Sequence, residues 1–239
     1  FQCRRMARFV HDRVIFAGDA AHLVSPFGAR GCNGGVADTD NLAWKLDRVL
    51  AGQAGHELLE AYNHEAVVTA DENILNSTRS TDFLTPKSTT SLAFRDAVLQ
   101  LAKDHAWARP FVNSGRLSTA VAYSDSPLSQ ADQPEESWQG IAPGHVVVDA
   151  PLDGDWLLHL LGGDFVLLAA DRSVPHVPGL RMIVVDELED RQDMIASRYD
   201  LQPGSAYLVR PDQYVAARWR HPTVELIQAA YERAASPGA

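Results

Sequence analysis

The sequence predicts an α/β protein in two parts, the first mainly helical and the second built from alternating strands and helices. Apolar residues recur at helical spacing through residues 34–107, whereas short β-rich runs alternate with helical segments from residue 145 onward. The segment between these patterns is rich in Ser, Pro, Asp, Glu and Gln. We therefore predict a first domain at 1–123, a linker at 124–144 and a second domain at 145–239.

The first part is predicted to contain one short strand and three helices. The strand is Arg13–Ala17, a brief apolar run that is expected to be buried and that Gly18 closes. The helices are predicted at about Gly34–Leu50, His56–Leu75 and Ser91–Trp107, and each is expected to bury one apolar face. The residues of these faces are Val36, Leu42, Ala43, Leu46, Val49 and Leu50 in the first helix, Leu58, Leu59, Tyr62, Ala66 and Val67 in the second, and Leu92, Phe94, Ala97, Val98, Leu101 and Ala102 in the third.

Residues 124–144 have the composition of a linker, with little apolar content beyond Leu128 and Trp138. Because an indole ring favours apolar surroundings, we expect Trp138 to attach this segment to the surface of a domain.

The second part is predicted to be a compact α/β domain of about 95 residues. Its strands are expected at His145–Val148, Phe165–Ala169, Arg181–Val185, Ala206–Val209 and Tyr214–Arg218, and its helices near Asp155–Leu161, Asp190–Tyr199 and His221–Ala234. The tetrapeptide Arg210-Pro211-Asp212-Gln213 has Pro where a turn needs a φ of about −65°. The last two strands are therefore predicted to form a hairpin.

Composition and charge argue against several classes of function. The chain has 239 residues, of which 46% are hydrophobic and 22% charged, as is typical of a globular protein. Its net charge of −10 argues against nucleic acid or an anionic membrane surface as the main partner. No apolar run approaches the roughly 20 residues that span a bilayer and no signal peptide is visible, so we expect a cytoplasmic protein. With only Cys3 and Cys32, neither a disulfide framework nor a C-x-x-C site is available.

The most informative stretch is Gly18–Asn33, where a β-rich run leads into a loop with Gly and Pro and then into a helix. Glycine loops and the free N–H groups of a helix N-terminus are a common means of holding an electron-rich or anionic ligand. This stretch therefore predicts a ligand site.

The run GDAAHLVSPFGARGCNGGVADTDNLAWKL, which begins at Gly18, resembles the third conserved motif of class A flavin-dependent aromatic hydroxylases. This family includes phenol hydroxylases and enzymes of the 3-(3-hydroxyphenyl)propionate hydroxylase type. Residues 206–216 similarly resemble the closing hairpin of the thioredoxin-like C-terminal domain in the phenol hydroxylase branch. The resemblance implies an incomplete, mainly helical part of an FAD-binding domain, followed by a thioredoxin-like α/β domain at 145–239 that has no redox cysteines.

The resemblance implies that the Gly18–Asn33 loop binds the riboflavin half of FAD. Asp19 is implied to accept a hydrogen bond from a ribityl hydroxyl, after a glycine that lets the cofactor approach. Pro26 is implied to lie beside the flavin ring on its reacting face. Gly28 and Gly31 are implied to let the backbone pass close to the isoalloxazine.

The same resemblance places positive charge at one edge of the flavin. The amides of Cys32 and Asn33, at the helix N-terminus, are implied to point at the N1/C2=O edge, and Arg30 is implied to add charge there. The complete set of implied cofactor-binding residues is Gly18, Asp19, Pro26, Gly28, Arg30, Gly31, Cys32 and Asn33. No catalytic residue and no metal site is predicted.

Other polar residues are interpreted as structural. We expect His22 to hold the loop backbone, and Asp38, Asp40 and Lys45 to decorate or cap a helix. Two further pairs are interpreted as surface charges of a helix and not as metal ligands; they are His64 with Glu65 and Asp71 with Glu72.

The family begins with a G-x-G-x-x-G unit that holds the ADP half of FAD, and this chain contains no such motif. We therefore expect the chain to be the C-terminal portion of an FAD- and NAD(P)H-dependent monooxygenase that hydroxylates an aromatic, phenolic substrate, and the portion alone to be inactive. A homodimer is possible on this reading. The alternative is a non-catalytic thioredoxin-like module for binding or dimerisation, and a two-metal phosphoesterase built on Gly18-Asp19-x-x-His22 ranks last.

Overall fold

The computed structural model describes residues 2–112, 119–190 and 193–238. The chain forms two compact units: the first comprises Phe1–Thr39 with Ala66–Ala120, and the second comprises Asp40–Glu65 with Val121–Ala239. No helix among the described residues is long and apolar enough to cross a membrane.

The described residues contain both α-helices and β-strands. The strands are β1 (Arg4–Arg5), β2 (Val10–His11), β3 (Val14–Ile15), β4 (His22–Leu23), β5 (Val166–Ala169), β6 (Arg181–Val184), β7 (Ala206–Val209) and β8 (Val215–Trp219). The helices are α1 (Arg30–Leu50), α2 (Glu57–Leu84), α3 (Thr89–Asp104), α4 (Arg109–Val112), α5 (Leu157–Leu160), α6 (Met194–Tyr199) and α7 (Val224–Ala235). Short 3₁₀ turns occur at Gly18–Ala20, Ala106–Ala108 and Val185–Glu187.

The strand predicted at Arg13–Ala17 is shorter and less buried than expected. Only Val14–Ile15 is a strand, and it pairs antiparallel with β2. Val14 is 54% exposed, so the prediction of a buried strand is wrong. The apolar run instead forms half of a small hairpin, with Asp12 in the left-handed conformation at its turn.

Helix α1 begins at Arg30, four residues before the predicted start, and its buried face is polar. The buried residues of this helix that follow its first turn are Gly34, Asp38, Asn41 and Lys45, spaced by three or four residues. The predicted apolar face is wrong, since Val36 is 63% exposed and Leu50 is 78% exposed.

Helix α2 extends to Leu84, nine residues beyond the predicted end, and its buried stripe also becomes polar. Leu58, Leu59, Tyr62 and Ala66 are buried as expected. From Glu65 onward the stripe continues as Glu65, Thr69, Asn73 and Ser77, all of which are buried. The interpretation of Glu65 as a surface charge is therefore wrong.

Helix α3 begins where Ser88 accepts a hydrogen bond from the backbone N–H of Ser91, as an N-cap residue does. The helix ends at Asp104, three residues before the predicted end. Among its predicted core residues Val98 is buried, whereas Leu92, Phe94 and Leu101 are exposed. The predicted apolar face of α3 therefore stays largely accessible in the part of the chain that the structure describes.

The second unit is organised around a four-stranded sheet with the order β6-β5-β7-β8. β5 and β6 are parallel, whereas β5–β7 and β7–β8 are antiparallel. The predicted hairpin is confirmed: the N–H of Arg210 donates to Tyr214 O at 2.8 Å, and Gln213 takes a left-handed φ of 61° in the turn. The strand predicted at His145–Val148 is wrong, because only a single bridge from Val146 to Tyr214 forms there.

The predicted helices of the second unit exist but are shorter than expected. α5 and α6 begin two and four residues later than predicted, and residues 191 and 192 of the predicted second helix lie outside the described residues. α7 begins at Val224, where the Thr223 side chain accepts from the N–H of Leu226.

Both faces of the sheet are buried by apolar clusters, as expected for a sheet in the centre of an α/β unit. One cluster is built around Phe165, Leu167, Leu208, Trp219 and Ile227, and the other around Leu157, Val166, Leu168, Ile195 and Tyr207.

Residues 124–144 form no helix or strand, but they are packed into the second unit. Leu128 is 1% exposed, and Asp132 accepts hydrogen bonds from Arg218 at 2.6 and 2.8 Å. Trp138 contacts Tyr207 edge-on at 5.5 Å between ring centroids, and the Arg220 guanidinium lies 3.6 Å from its ring centre. The expectation that Trp138 attaches this segment to a domain surface is confirmed.

Candidate functional site

A groove of about 770 Å³ opens in the first unit beside the Gly18–Asn33 loop. This volume lies in the range of sites for small molecules and cofactors. The predicted site residues that line the groove are Gly18, Asp19, Pro26, Arg30, Gly31, Cys32 and Asn33. Gly28 does not line it but lies in the same loop. The structure therefore brings the predicted residues together at one concave surface.

The Gly18–Asp19 turn presents a carboxylate at the groove. Gly18 has a left-handed φ of 56°, which glycine adopts without strain, and it begins a 3₁₀ turn that ends at Ala20. Asp19 is exposed, and its side chain makes no hydrogen bond or ion pair within the described ranges. Both of its oxygens are therefore available as acceptors.

Side chains of α2 hold the central part of the loop. The Ser25 hydroxyl lies 2.8 Å from the Ser77 hydroxyl and 2.7 Å from the Thr81 hydroxyl. Ser77 also donates to the backbone carbonyl of Ser25 at 3.0 Å. These bonds fix the residue directly before Pro26 and therefore the wall of the groove. They also explain why Ser77, at the end of the polar stripe of α2, is buried.

The loop enters α1 through two successive left-handed residues, Gly28 (φ 98°) and Ala29 (φ 52°). A left-handed alanine is strained and is found mainly where surrounding contacts impose it. Here the N–H of Ala29 donates to Pro26 O at 3.2 Å, and the side-chain amide of Asn33 donates to Ala29 O at 2.7 Å.

The first turn of α1 faces the groove. The N–H groups of Arg30, Gly31 and Cys32 belong to the first turn, in which backbone donors have no intrahelical partner. A helix N-terminus carries a partial positive charge. The groove is therefore suited to a ligand with negative charge or exposed acceptor atoms. That the backbone N–H of Asn33 contacts such a ligand stays a prediction.

Arg30 places a buried cation under the loop. Its side chain is folded beneath Gly28 and is 5% exposed as a whole residue, and it donates to Asn73 Oδ1 at 3.3 Å. Asn73 belongs to α2, so the same helix holds both the loop and this guanidinium. The charge adds to the positive potential of the helix N-terminus.

Asp38 is a site residue that sequence reasoning missed. The interpretation as a helix decoration is wrong, because Asp38 is 1% exposed and its Oδ2 accepts from the Gly18 N–H at 2.8 Å. The same oxygen lies 2.6 Å from Nε2 of His22. A sequence signal was present: Asp38 lies one helical turn after Gly34, whose missing side chain leaves room for His22.

A second buried polar cluster lies in the second unit. Glu65 is fully buried and accepts from Lys45 Nζ at 2.6 Å and from Arg210 at 2.6 and 2.9 Å. Arg210 also donates to Asp212 at 2.5 and 2.9 Å. The interpretation of Lys45 as a surface residue of α1 is wrong, since its side chain is fully buried.

The charges in this cluster stabilise one another. Burial opposes ionisation of Glu65, but the positive charges of Arg210 and Lys45 outweigh it, so the pKa of the carboxyl lies well below its usual range. Burial lowers the pKa of Lys45 to about 8, and the charge of Glu65 offsets part of that effect. Such a cluster is suited to structural stabilisation, because each of its charges is already paired. Among the described residues, no group of His, Cys, Asp and Glu is placed to hold a metal ion.

Comparison with known proteins connects the groove with a cofactor. Residues 2–77, which include the whole groove, match the family model described as an FAD binding domain. The chain is 30% identical to the 6-methylpretetramide 4-monooxygenase of Streptomyces rimosus, over 91% of this chain and 43% of that protein. Over most of its length the chain is similar to FAD-dependent monooxygenases of aromatic compounds.

Two further comparisons agree with this similarity. The 3-(3-hydroxy-phenyl)propionate/3-hydroxycinnamic acid hydroxylase of Comamonas testosteroni is 40% identical over 40% of this chain and 16% of that protein. The solved structure of the rebeccamycin biosynthetic enzyme RebC with reduced flavin is 27% identical, has a TM-score of 0.66 and covers 96% of this chain and 46% of that one. The chain thus spans less than half the length of these relatives.

The residues of the groove fit the FAD of this family. A left-handed glycine followed by a carboxylate with free acceptor oxygens suits the hydroxyl groups of a ribityl chain. Gly31 lines the groove without a side chain, so that its backbone is bare toward a planar ring. The helix N-terminus and the buried Arg30 provide positive potential beside it.

Proposed function

We propose that Gly18–Asn33 binds the riboflavin half of FAD in a monooxygenase that uses NAD(P)H and hydroxylates an aromatic, phenolic substrate. The observation that carries this proposal is the groove itself. It collects Asp19, Pro26 and the first turn of α1 on one surface, with residue types that suit the ribityl chain, the ring and its polar edge.

Each part of the groove has a separate task in this proposal. Asp19 accepts a hydrogen bond from a ribityl hydroxyl and fixes the cofactor along the groove. Pro26 borders the ring without adding a backbone N–H of its own. The backbone amides of Cys32 and Asn33, together with Arg30, stabilise negative charge at the N1/C2=O edge. FAD, when bound, supplies the redox and oxygen-transfer chemistry of the reaction.

The substrate class is inferred from the relatives. Their names specify 6-methylpretetramide and 3-(3-hydroxyphenyl)propionate, which are aromatic molecules of different size. An aromatic ring with a hydroxyl group is the feature that we carry over to this chain. We also propose that the 239-residue chain has no activity by itself, because the groove accounts for only the riboflavin half of FAD.

The second domain, predicted at 145–239, is proposed to be thioredoxin-like and to serve binding or homodimerisation. A sheet with one parallel and two antiparallel strand pairs, followed by α7, supports this proposal. Residues 145–239 contain no cysteine, which excludes dithiol exchange by this segment. This module is the second candidate function of the chain, and it is compatible with the first.

Asp19→Ala is expected to weaken FAD binding about 10- to 100-fold, because a hydrogen bond to a charged group contributes roughly 1.5–3 kcal/mol. The measurement is the dissociation constant of FAD by equilibrium dialysis, on protein expressed from its complete reading frame. Asp47→Ala, which removes an exposed carboxylate of α1 outside the groove, is the control and should bind FAD as the wild type does. Wild-type affinity of Asp19→Ala would refute the ribityl contact.

A further inference from the structure

Asp38 does not line the groove, yet it binds two groups that shape it. The residue is buried on α1, and its Oδ2 accepts the Gly18 N–H at 2.8 Å. Nε2 of His22 lies 2.6 Å from the same oxygen. A single carboxylate oxygen of α1 therefore contacts the backbone of Gly18, which precedes Asp19, and the side chain of His22, which follows it.

The turn that carries Asp19 needs such an anchor. Gly18 has the widest conformational freedom of any residue type, so its left-handed φ does not by itself fix the direction of the next side chain. The carboxylate of Asp38 supplies the partner that holds the Gly18 N–H in place. The second group that contacts Asp38 is the His22 ring. It is stacked on Phe9 with 5.8 Å between ring centroids, and this contact holds the ring in place.

We propose that Asp38 is a positioning residue of the flavin site, which fixes the Gly18 turn so that the Asp19 carboxylate faces the ribityl chain. Asp38 acts through Asp19 and does not itself contact the cofactor. The inference rests on the proposed function, since it takes Asp19 as the ribityl contact.

A double-mutant cycle with FAD as the ligand tests this assignment. Asp38→Ala, Asp19→Ala and the double variant are compared by the dissociation constant of FAD in equilibrium dialysis. Asp38→Ala is expected to bind FAD about tenfold more weakly, as for the loss of one hydrogen bond to a carboxylate. In the Asp19→Ala background the same substitution should change the affinity by no more than about twofold, because the group being positioned is gone.

The variant Asp38→Asn keeps the size of the Asp38 side chain and removes its charge, so it tests whether the hydrogen bond to Gly18 is what matters. Oδ1 of Asp38 has no hydrogen-bond partner in the part of the chain that the structure describes. Asp38→Asn can therefore keep an oxygen at the position of Oδ2 and direct its nitrogen to the position of Oδ1. It should restore FAD affinity to within about threefold of the wild type. Should Asp38→Ala fail to fold in thermal unfolding without FAD, Asp38→Ser, whose hydroxyl is too short to reach Gly18, replaces it in the same cycle.

Two results would overturn the proposal. One is wild-type FAD affinity of the folded Asp38→Ala or Asp38→Ser protein. The other is a full additive loss in the double variant, which indicates general destabilisation of the site. Failure of the proposed function looks different, because Asp19→Ala alone would then bind FAD as the wild type does.

Discussion

Glu65→Gln is expected to lower the free energy of unfolding by about 3–5 kcal/mol, the usual cost of removing one partner from a buried ion pair. The carboxylate is fully buried and accepts hydrogen bonds from Lys45 and Arg210. Glutamine has nearly the same shape, so the variant leaves no cavity. It removes the charge that two buried cations face, and its amide nitrogen is a donor placed among donors. Urea unfolding at neutral pH, followed by circular dichroism, measures the change.

Glu60→Gln provides the matched control, because this residue lies on the same helix and its side chain is 41% exposed. Its ion pair with His56 is long, at 3.6 Å, and exposed pairs contribute about 0–1 kcal/mol. Equal losses of stability in the two variants would contradict the structural role of the buried cluster.

The low pKa of the Glu65 carboxyl also predicts that the folded protein loses stability in acid. Its pKa in the folded protein lies below the ordinary value of 4.5, so folding favours the ionised form. The stabilisation is complete above that ordinary value and is lost as the pH falls from it toward the folded pKa. The difference in stability between the wild type and Glu65→Gln should therefore shrink as the pH is lowered below about 4.5. A difference that stays constant down to the acid transition would show that the charge of Glu65 does not stabilise the fold.

Gly144→Ala is expected to destabilise the protein by about 2–5 kcal/mol. Gly144 has a φ of 81°, where an L-residue is strained by about 1–2 kcal/mol. A Cβ at this position would lie 2.5 Å from the carbonyl carbon of Tyr123, so backbone must move, and forced overpacking costs about 1–3 kcal/mol more. The movement would strain the bonds from Tyr123 N to Gly144 O and from Gly144 N to Val215 O. Urea unfolding measures the loss.

Gly154→Ala separates backbone strain from the close contact. Gly154 has nearly the same φ, 79°, and a Cβ there would meet no atom within 4 Å. The control variant should therefore lose only about 1–2 kcal/mol. If the two alanine variants are equally stable, the packing of 124–144 against the sheet is looser than the structure indicates.

The sequence predicted the secondary-structure elements that are determined by residues close together in the chain. The hairpin of β7 and β8 follows from a turn with Pro211 at the position where its ring fits, and the positions of β5, β6 and β7 follow from short apolar runs. The end of α1 at Leu50 was also predicted correctly. The beginning of α1 was not, because its first turn is set by left-handed backbone at Gly28 and Ala29 that no apolar spacing reveals.

The sequence did not predict which polar side chains are buried on α1 and α2. Apolar spacing placed Val36 and Leu50 in a core, whereas the structure buries Asp38, Lys45 and Glu65. Burial of a polar side chain is favourable only when a partner far along the chain meets it, as Arg210 meets Glu65 across 145 residues. Such partners cannot be found from spacing within one helix.

The sequence by itself predicted seven of the residues that line the groove, because the order of glycine, carboxylate, proline and helix start is contiguous from Gly18 to Asn33. Only the tertiary structure decided how that order becomes a concave surface. Ser77 and Thr81 hold the loop, Asn73 holds Arg30, and Asp38 holds the turn before Asp19. The physical reason is that a loop has no repeating hydrogen bonds of its own, so side chains distant in sequence must supply them.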